Sequence, residues 1–88
     1  MFVIKTQEMP AEPRLDNQHR VLVYRDDTLH VVQTWHEDKG EAWNHRYAAL
    51  MSLYKSAGGD QKYTPHHILG AAPVTGHGFW VVAVEEGE

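Results

Sequence analysis

Two stretches in the first half of the chain, Arg20-Val21-Leu22-Val23-Tyr24-Arg25 and Thr28-Leu29-His30-Val31-Val32-Gln33-Thr34-Trp35, are rich in β-branched and aromatic residues, which suit a pleated strand. Asp26-Asp27 between them fits a two-residue hairpin turn. A plain turn of that kind pairs Tyr24 with Leu29 and Leu22 with Val31 on one face. The other face then pairs Val23 with His30 and Val21 with Val32. Both faces of the hairpin are apolar, whereas a sheet with one solvated face alternates apolar with polar residues. Phe2-Val3-Ile4-Lys5 predicts a short first strand. The unbroken run Phe79-Trp80-Val81-Val82-Ala83-Val84 predicts a last strand covered on both sides.

Only one stretch has a helical period. Trp43, Tyr47, Leu50, Met51 and Tyr54 fall on one stripe, widened by Ala42, Ala49, Leu53 and Ala57. Asp38 with Glu41 three residues later resembles a capping box, Lys55 suits the negative end of the helix dipole, and Gly58-Gly59 supplies a stop. Residues 6–18, which include Pro10 and Pro13, are expected to form an irregular crossing loop. Residues 60–78 are expected to form a second long loop, with at most one helical turn after Thr64-Pro65. Residues 85–88 read as a frayed acidic tail.

The element order is β-loop-β-β-α-loop-β within a single domain, residues 1–88. The simplest packing is an α+β fold: a small, mainly antiparallel sheet of three to four strands with one amphipathic helix on one face. The larger side chains Leu22, Tyr24, Leu29 and Val31 are expected under the helix, against Trp43, Tyr47, Leu50 and Tyr54. Val21, Val23 and Val32, with His30 at their margin, are then left for loop 60–78 or a partner to cover. With Trp35 at the strand end and Tyr63 in the loop, they are the candidate partner-binding residues. A core this small favours association, so a homodimer is expected.

Composition narrows the chemistry. The chain has 88 residues and no cysteine, which excludes a disulfide framework, a thiolate zinc site and a cysteine nucleophile. A formal charge of −4 argues against direct nucleic-acid binding. No apolar run is long enough to span a membrane. Residues 1–15 carry Lys5, Glu8, Glu12 and Arg14, unlike a secretory leader, so a cytoplasmic protein is expected. No nucleophile elbow, phosphate-binding loop or dinucleotide-binding glycine pattern occurs, and nothing selects an enzyme or a cofactor.

Histidine is the unusual component. Seven imidazoles would carry the formal charge from −4 to +3 on full protonation (−4 + 7 = +3). His66, His67 and the glycine-flanked His77 suggest an alternative, a metal-binding or pH-responsive module taking zinc or nickel. Adjacent histidines usually point apart, however, and no H-x-x-x-H spacing accompanies them. His45, four residues after Glu41, reads as a solvated helical pair. A second alternative is a small ligand-binding protein or enzyme with residues 60–78 as a lid.

The leading expectation is a small acidic protein-interaction module, an inhibitor or adaptor. Short, acidic and cysteine-free, with one hairpin and one helix, the chain resembles small inhibitors encoded by phages and mobile elements; the resemblance is one of size and composition. It implies a host nucleic-acid-handling or defence enzyme, such as CRISPR machinery, as target, met in the host cytoplasm. Asp26-Asp27, Glu37-Asp38 and the acidic tail would then engage a basic surface of that protein partner.

Overall fold

The computed structural model describes residues 1–12, 14, 18–56 and 63–86. Strands β1 (Phe2–Met9), β2 (Arg20–Arg25) and β3 (Thr28–Thr34) precede helix α1 (Glu41–Ser56). A 3-10 turn (Pro65–His67) then leads into β4 (Ile68–Val74) and β5 (Phe79–Val84). All neighbouring strands are antiparallel, in the order β3-β2-β1-β5-β4. The α+β arrangement with one helix is as expected, but the sheet has five strands, not three or four.

The additional sheet comes from both expected loops. β1 continues to Met9, with Lys5 to Met9 paired against β2, so the first part of the 6–18 segment is strand. Within the 60–78 segment, Ile68–Val74 pairs along β5. Its Gly70, Ala71 and Ala72 have little intrinsic strand preference, and pairing with β5 supplies what propensity does not. Pro73 is tolerated because β4 is an edge.

Asp26 and Asp27 both have positive φ, 51° and 63°, as a primed two-residue turn requires. The hairpin starts in the expected register, Tyr24 opposite Leu29. It then slips by one residue, to Val23 opposite Val31 and Leu22 opposite Val32. His30 is the extra residue of a β-bulge, and the slip exchanges the two faces of β3 beyond it. Val21, Val23 and Val31 consequently share a buried face with Ile4, Thr6, Val82 and Val84.

Helix α1 lies on that face and touches all five strands. Its inner surface consists of His45, Ala48, Ala49, Ser52 and Leu53, all buried. Trp43, Tyr47, Met51 and Tyr54, expected as the core stripe, sit half-buried along its flank. Small side chains let the helix approach the sheet closely, where a row of indoles and phenols would hold it away. The helix begins at Glu41, with Asp38 in the turn before it. Asn44, rather than a cap at Asp38, ties the preceding turn to the helix: its Oδ1 accepts from His36 N at 2.7 Å, and its Nδ2 donates to His36 O at 3.1 Å and Gly40 O at 3.0 Å. Ala57 and Gly58-Gly59, the expected helix end and stop, lie outside the described residues, as do residues 87–88 of the tail.

Two substitutions separate the faces. Val23 is fully buried and Val32 is 47% exposed. Val23→Asp places an unpaired carboxylate under the helix, at a cost of several kcal/mol, and should unfold the domain. Val32→Asp should leave the denaturation midpoint within about 0.5 kcal/mol of wild type. Equal midpoints for the two variants would contradict the register.

Candidate functional site

The sheet face opposite α1 is open. Alternation from the buried positions brings Val3, Leu22, Tyr24, Val32, Phe79 and Val81 to this side. Val3 is 60% exposed, Leu29 50% and Val32 47%. From a strand spacing of about 4.8 Å and a rise of about 3.3 Å per residue, five strands of six residues give a face of roughly 24 × 20 Å. That is about 480 Å² for the whole face, its apolar side chains interrupted by Lys5, Gln7, Arg20 and Thr34.

The strand charges on this face are cationic. Lys5 stands on the central strand, with its Nζ 5.0 Å from the Tyr24 ring centroid and 5.2 Å from that of Phe79. Asp27, at the hairpin tip, reaches Lys5 Nζ at 3.5 Å from an almost fully exposed position. Arg20, next to buried Val21 in β2, projects to the same side as Lys5. Both outer strands carry a bulge, at His30 in β3 and at Leu69 in β4, where the register skips from Ile68 opposite Val84 to Gly70 opposite Ala83. Bulges and the β4 proline disfavour extension of the sheet by an added strand. The face is therefore the available surface.

A buried histidine network closes one end of the helix–sheet interface. His45 is 0% exposed, its Nδ1 lies 2.6 Å from Thr6 Oγ1, and its ring stacks on Trp80 at 4.3 Å. Its Nε2 is unpartnered among the described residues. Burial lowers its pKa from 6.5 to about 4, against a smaller upward pull from the charge of Glu8. Trp35 meets His45 edge-on and stacks on His19 at 4.3 Å. His19 bridges Glu8 at 2.7 Å and Glu37 at 2.8 Å. Burial pulls the His19 pKa down, but hydrogen bonds and charge from Glu37 and Glu8 outweigh it, so the net shift is upward. The expected solvated Glu41–His45 pair is thus replaced by a core histidine.

The sequence-predicted residues are dispersed. Val21 and Val23 lie under α1, and Trp35 is 8% exposed within the network. His30 faces the helix, with Nδ1 2.6 Å from Ser52 Oγ; burial, then the charges of Lys55 and Arg25, lower its pKa. Tyr63 packs edge-on against Phe2 at 6.5 Å. Of the candidate partner-binding set, only Val32 reaches the open face. His66 and His67 precede β4 and His77 follows it, and seven strand residues separate the two ends by about 23 Å. Those three cannot hold one metal ion, and no His, Asp or Glu group of three or more is placed to do so among the described residues. Residues 68–78 are a strand and a turn, not part of a long loop. Lys5 and Asn44 were not signalled by any motif; a lone cation inside an apolar strand was the available clue to Lys5. No described helix is long and apolar enough to cross a membrane.

Compared with protein-family models, curated proteins and solved structures, the chain matches none.

The two histidines predict opposite pH responses. Between pH 6.5 and about 4 the unfolded chain binds a proton that folded His45 excludes. Stability should therefore fall with pH in that window, by up to about 1.4 kcal/mol per unit. The His19 contribution is complete below 6.5 and is lost as pH rises through its raised folded value. Denaturant titrations at pH 4 to 7 should show the acid slope flattened in His45→Gln. A slope unchanged by that substitution would remove His45 as its source.

Proposed function

We propose that the chain is a protein-interaction module that acts by docking its open sheet face onto another protein, as an adaptor or inhibitor does. The supporting observation is the apolar face with Lys5 at its centre, held between Tyr24 and Phe79. Covering such a face buries about 1,000 Å² over both partners, the lower bound for a specific interface.

Charge selects the partner. The overall −4 suggests a basic target, but the strand charges on this face, Lys5 and Arg20, have the opposite sign. A second copy stacked about a two-fold axis through the centre would bring two Lys5 ammonium groups, each only loosely paired with its exposed Asp27 at 3.5 Å, together inside an apolar contact. The complementary occupant is an amphipathic helix of a different protein, with a carboxylate flanked by Leu, Ile or Phe. Its carboxylate pairs with Lys5 while its apolar side chains cover Val3, Leu22, Val32 and Val81.

The test is selection of a displayed library of amphipathic helical peptides on the wild-type protein, with Val81→Asp as counter-selection. Enriched peptides should carry a central Asp or Glu between apolar residues, and Lys5→Glu should reverse that preference to Lys or Arg. Peptides that bind Val81→Asp equally well, or that show no charge preference, would refute the docking face. A concentration-dependent dimer abolished by Val81→Asp would replace the proposed occupant with a second copy.

A further inference from the structure

The exposed flank of α1 carries a second feature, independent of the open sheet face. Trp43, Arg46, Tyr47 and Leu50 form one wall of a pocket of about 350 Å³, and Pro65 and Ile68, at the entry to β4, form the other. The helical positions are spaced by three and four residues, which puts them on one stripe. That stripe lies off the packed face because Ala48, Ala49 and Ser52 occupy it.

The walls are apolar and flat. Trp43 and Tyr47 stack with centroids 4.9 Å apart and 8° between planes. His36 meets both edge-on, at 5.1 and 5.3 Å, and fixes their orientation. Leu50 is 7% exposed and forms the floor. The polar groups at the mouth are donors. Arg46 is exposed and has no ion-pair or hydrogen-bond partner among the described residues, and the Tyr47 hydroxyl likewise makes no hydrogen bond there. A guanidinium beside a phenol, above a slot lined by rings and aliphatic groups, matches a planar carboxylate on a flat apolar body.

We infer that this pocket binds a small aromatic monocarboxylate, its ring between the Trp43–Tyr47 stack and Pro65–Ile68, and its carboxylate on Arg46 with the Tyr47 hydroxyl donating to it. The volume suits one or two fused rings, since ligand pockets span about 300–1,000 Å³. Lys39, whose Nζ lies 5.4 Å from the Trp43 ring centroid, adds a second cation beside the aromatic wall, and the planar fork of Arg46 favours a carboxylate as the anionic group. The open sheet face takes no part, so Val81→Asp leaves this site intact.

The probe is 2-naphthoate, with 2-naphthalenemethanol as its uncharged analogue, each titrated into isotope-labelled protein followed by NMR. Naphthoate should give saturable shifts at the Trp43 indole N–H and the Leu50 and Ile68 methyls, with resonances of the open face unmoved. The alcohol should bind at least tenfold more weakly. Arg46→Gln should abolish that difference, Arg46→Lys should keep part of it, and Tyr47→Phe should weaken naphthoate severalfold without affecting the alcohol. Arg46 is exposed, so the variant spectra should otherwise overlay on wild type. Absence of saturable shifts at millimolar naphthoate, equal binding of acid and alcohol, or a preference surviving Arg46→Gln would each overturn the inference.

Discussion

The close seating of α1 on the layer formed by Ile4, Val21, Val23, Val82 and Val84 is the contact on which the rest of the molecule depends. A sheet of five strands is wider than a helix, yet α1 touches all five. The side chains at the centre of the contact, Ala48, Ala49 and Ser52, are small. The aromatic side chains of α1, Trp43, Tyr47 and Tyr54, lie on its flank, and the apolar residues on the far side of the sheet are left uncovered. The two candidate binding surfaces are both consequences of this one contact.

Polar groups trapped at the same interface restrict how it can form. Asn44 ties the chain after β3 to the first turn of α1 by holding both backbone groups of His36. Thr6 and His45 satisfy one another across the interface, which makes neutral histidine part of the folded state. His19 gathers carboxylates from β1 and from the β3–α1 turn, and its stack on Trp35 links that surface clasp to buried His45. One imidazole is favoured charged and the other uncharged, so acid destabilises the domain through His45 while rising pH removes the His19 contribution at the same end.

The edges and the face of the sheet are treated differently. β3 and β4 each spend a residue on a bulge, and β4 adds Pro73, which removes a ladder donor. The open face has no comparable protection apart from Lys5, set among aromatic rings with Asp27 3.5 Å away, and Arg20 on β2.

Strand and helix locations followed from local chemistry. Asp26-Asp27 adopts the left-handed turn that its position between two β-rich runs implies, and α1 and β5 lie where their apolar patterns place them. β4 was not legible, because Gly70, Ala71 and Ala72 carry almost no intrinsic strand preference and become a strand only through hydrogen bonds to β5. The inserted His30 was equally silent: a bulge has no residue signature, yet it moves Val31 inward and Val32 outward. Val21 and Val23 of the expected partner-binding set are consequently buried under α1 while Val32 stays open, and no motif marks Lys5. Trp43, Tyr47 and Tyr54, which size alone places in the core, lie half-buried on the flank of α1. The sequence by itself determined an α+β domain with a two-sided apolar sheet and a single helix to cover it. Which side the helix covers, which histidine is buried and which residues stay open on the far face were decided only in the tertiary structure, because they depend on strand register and on helix packing, and both are set by contacts between residues far apart in the chain.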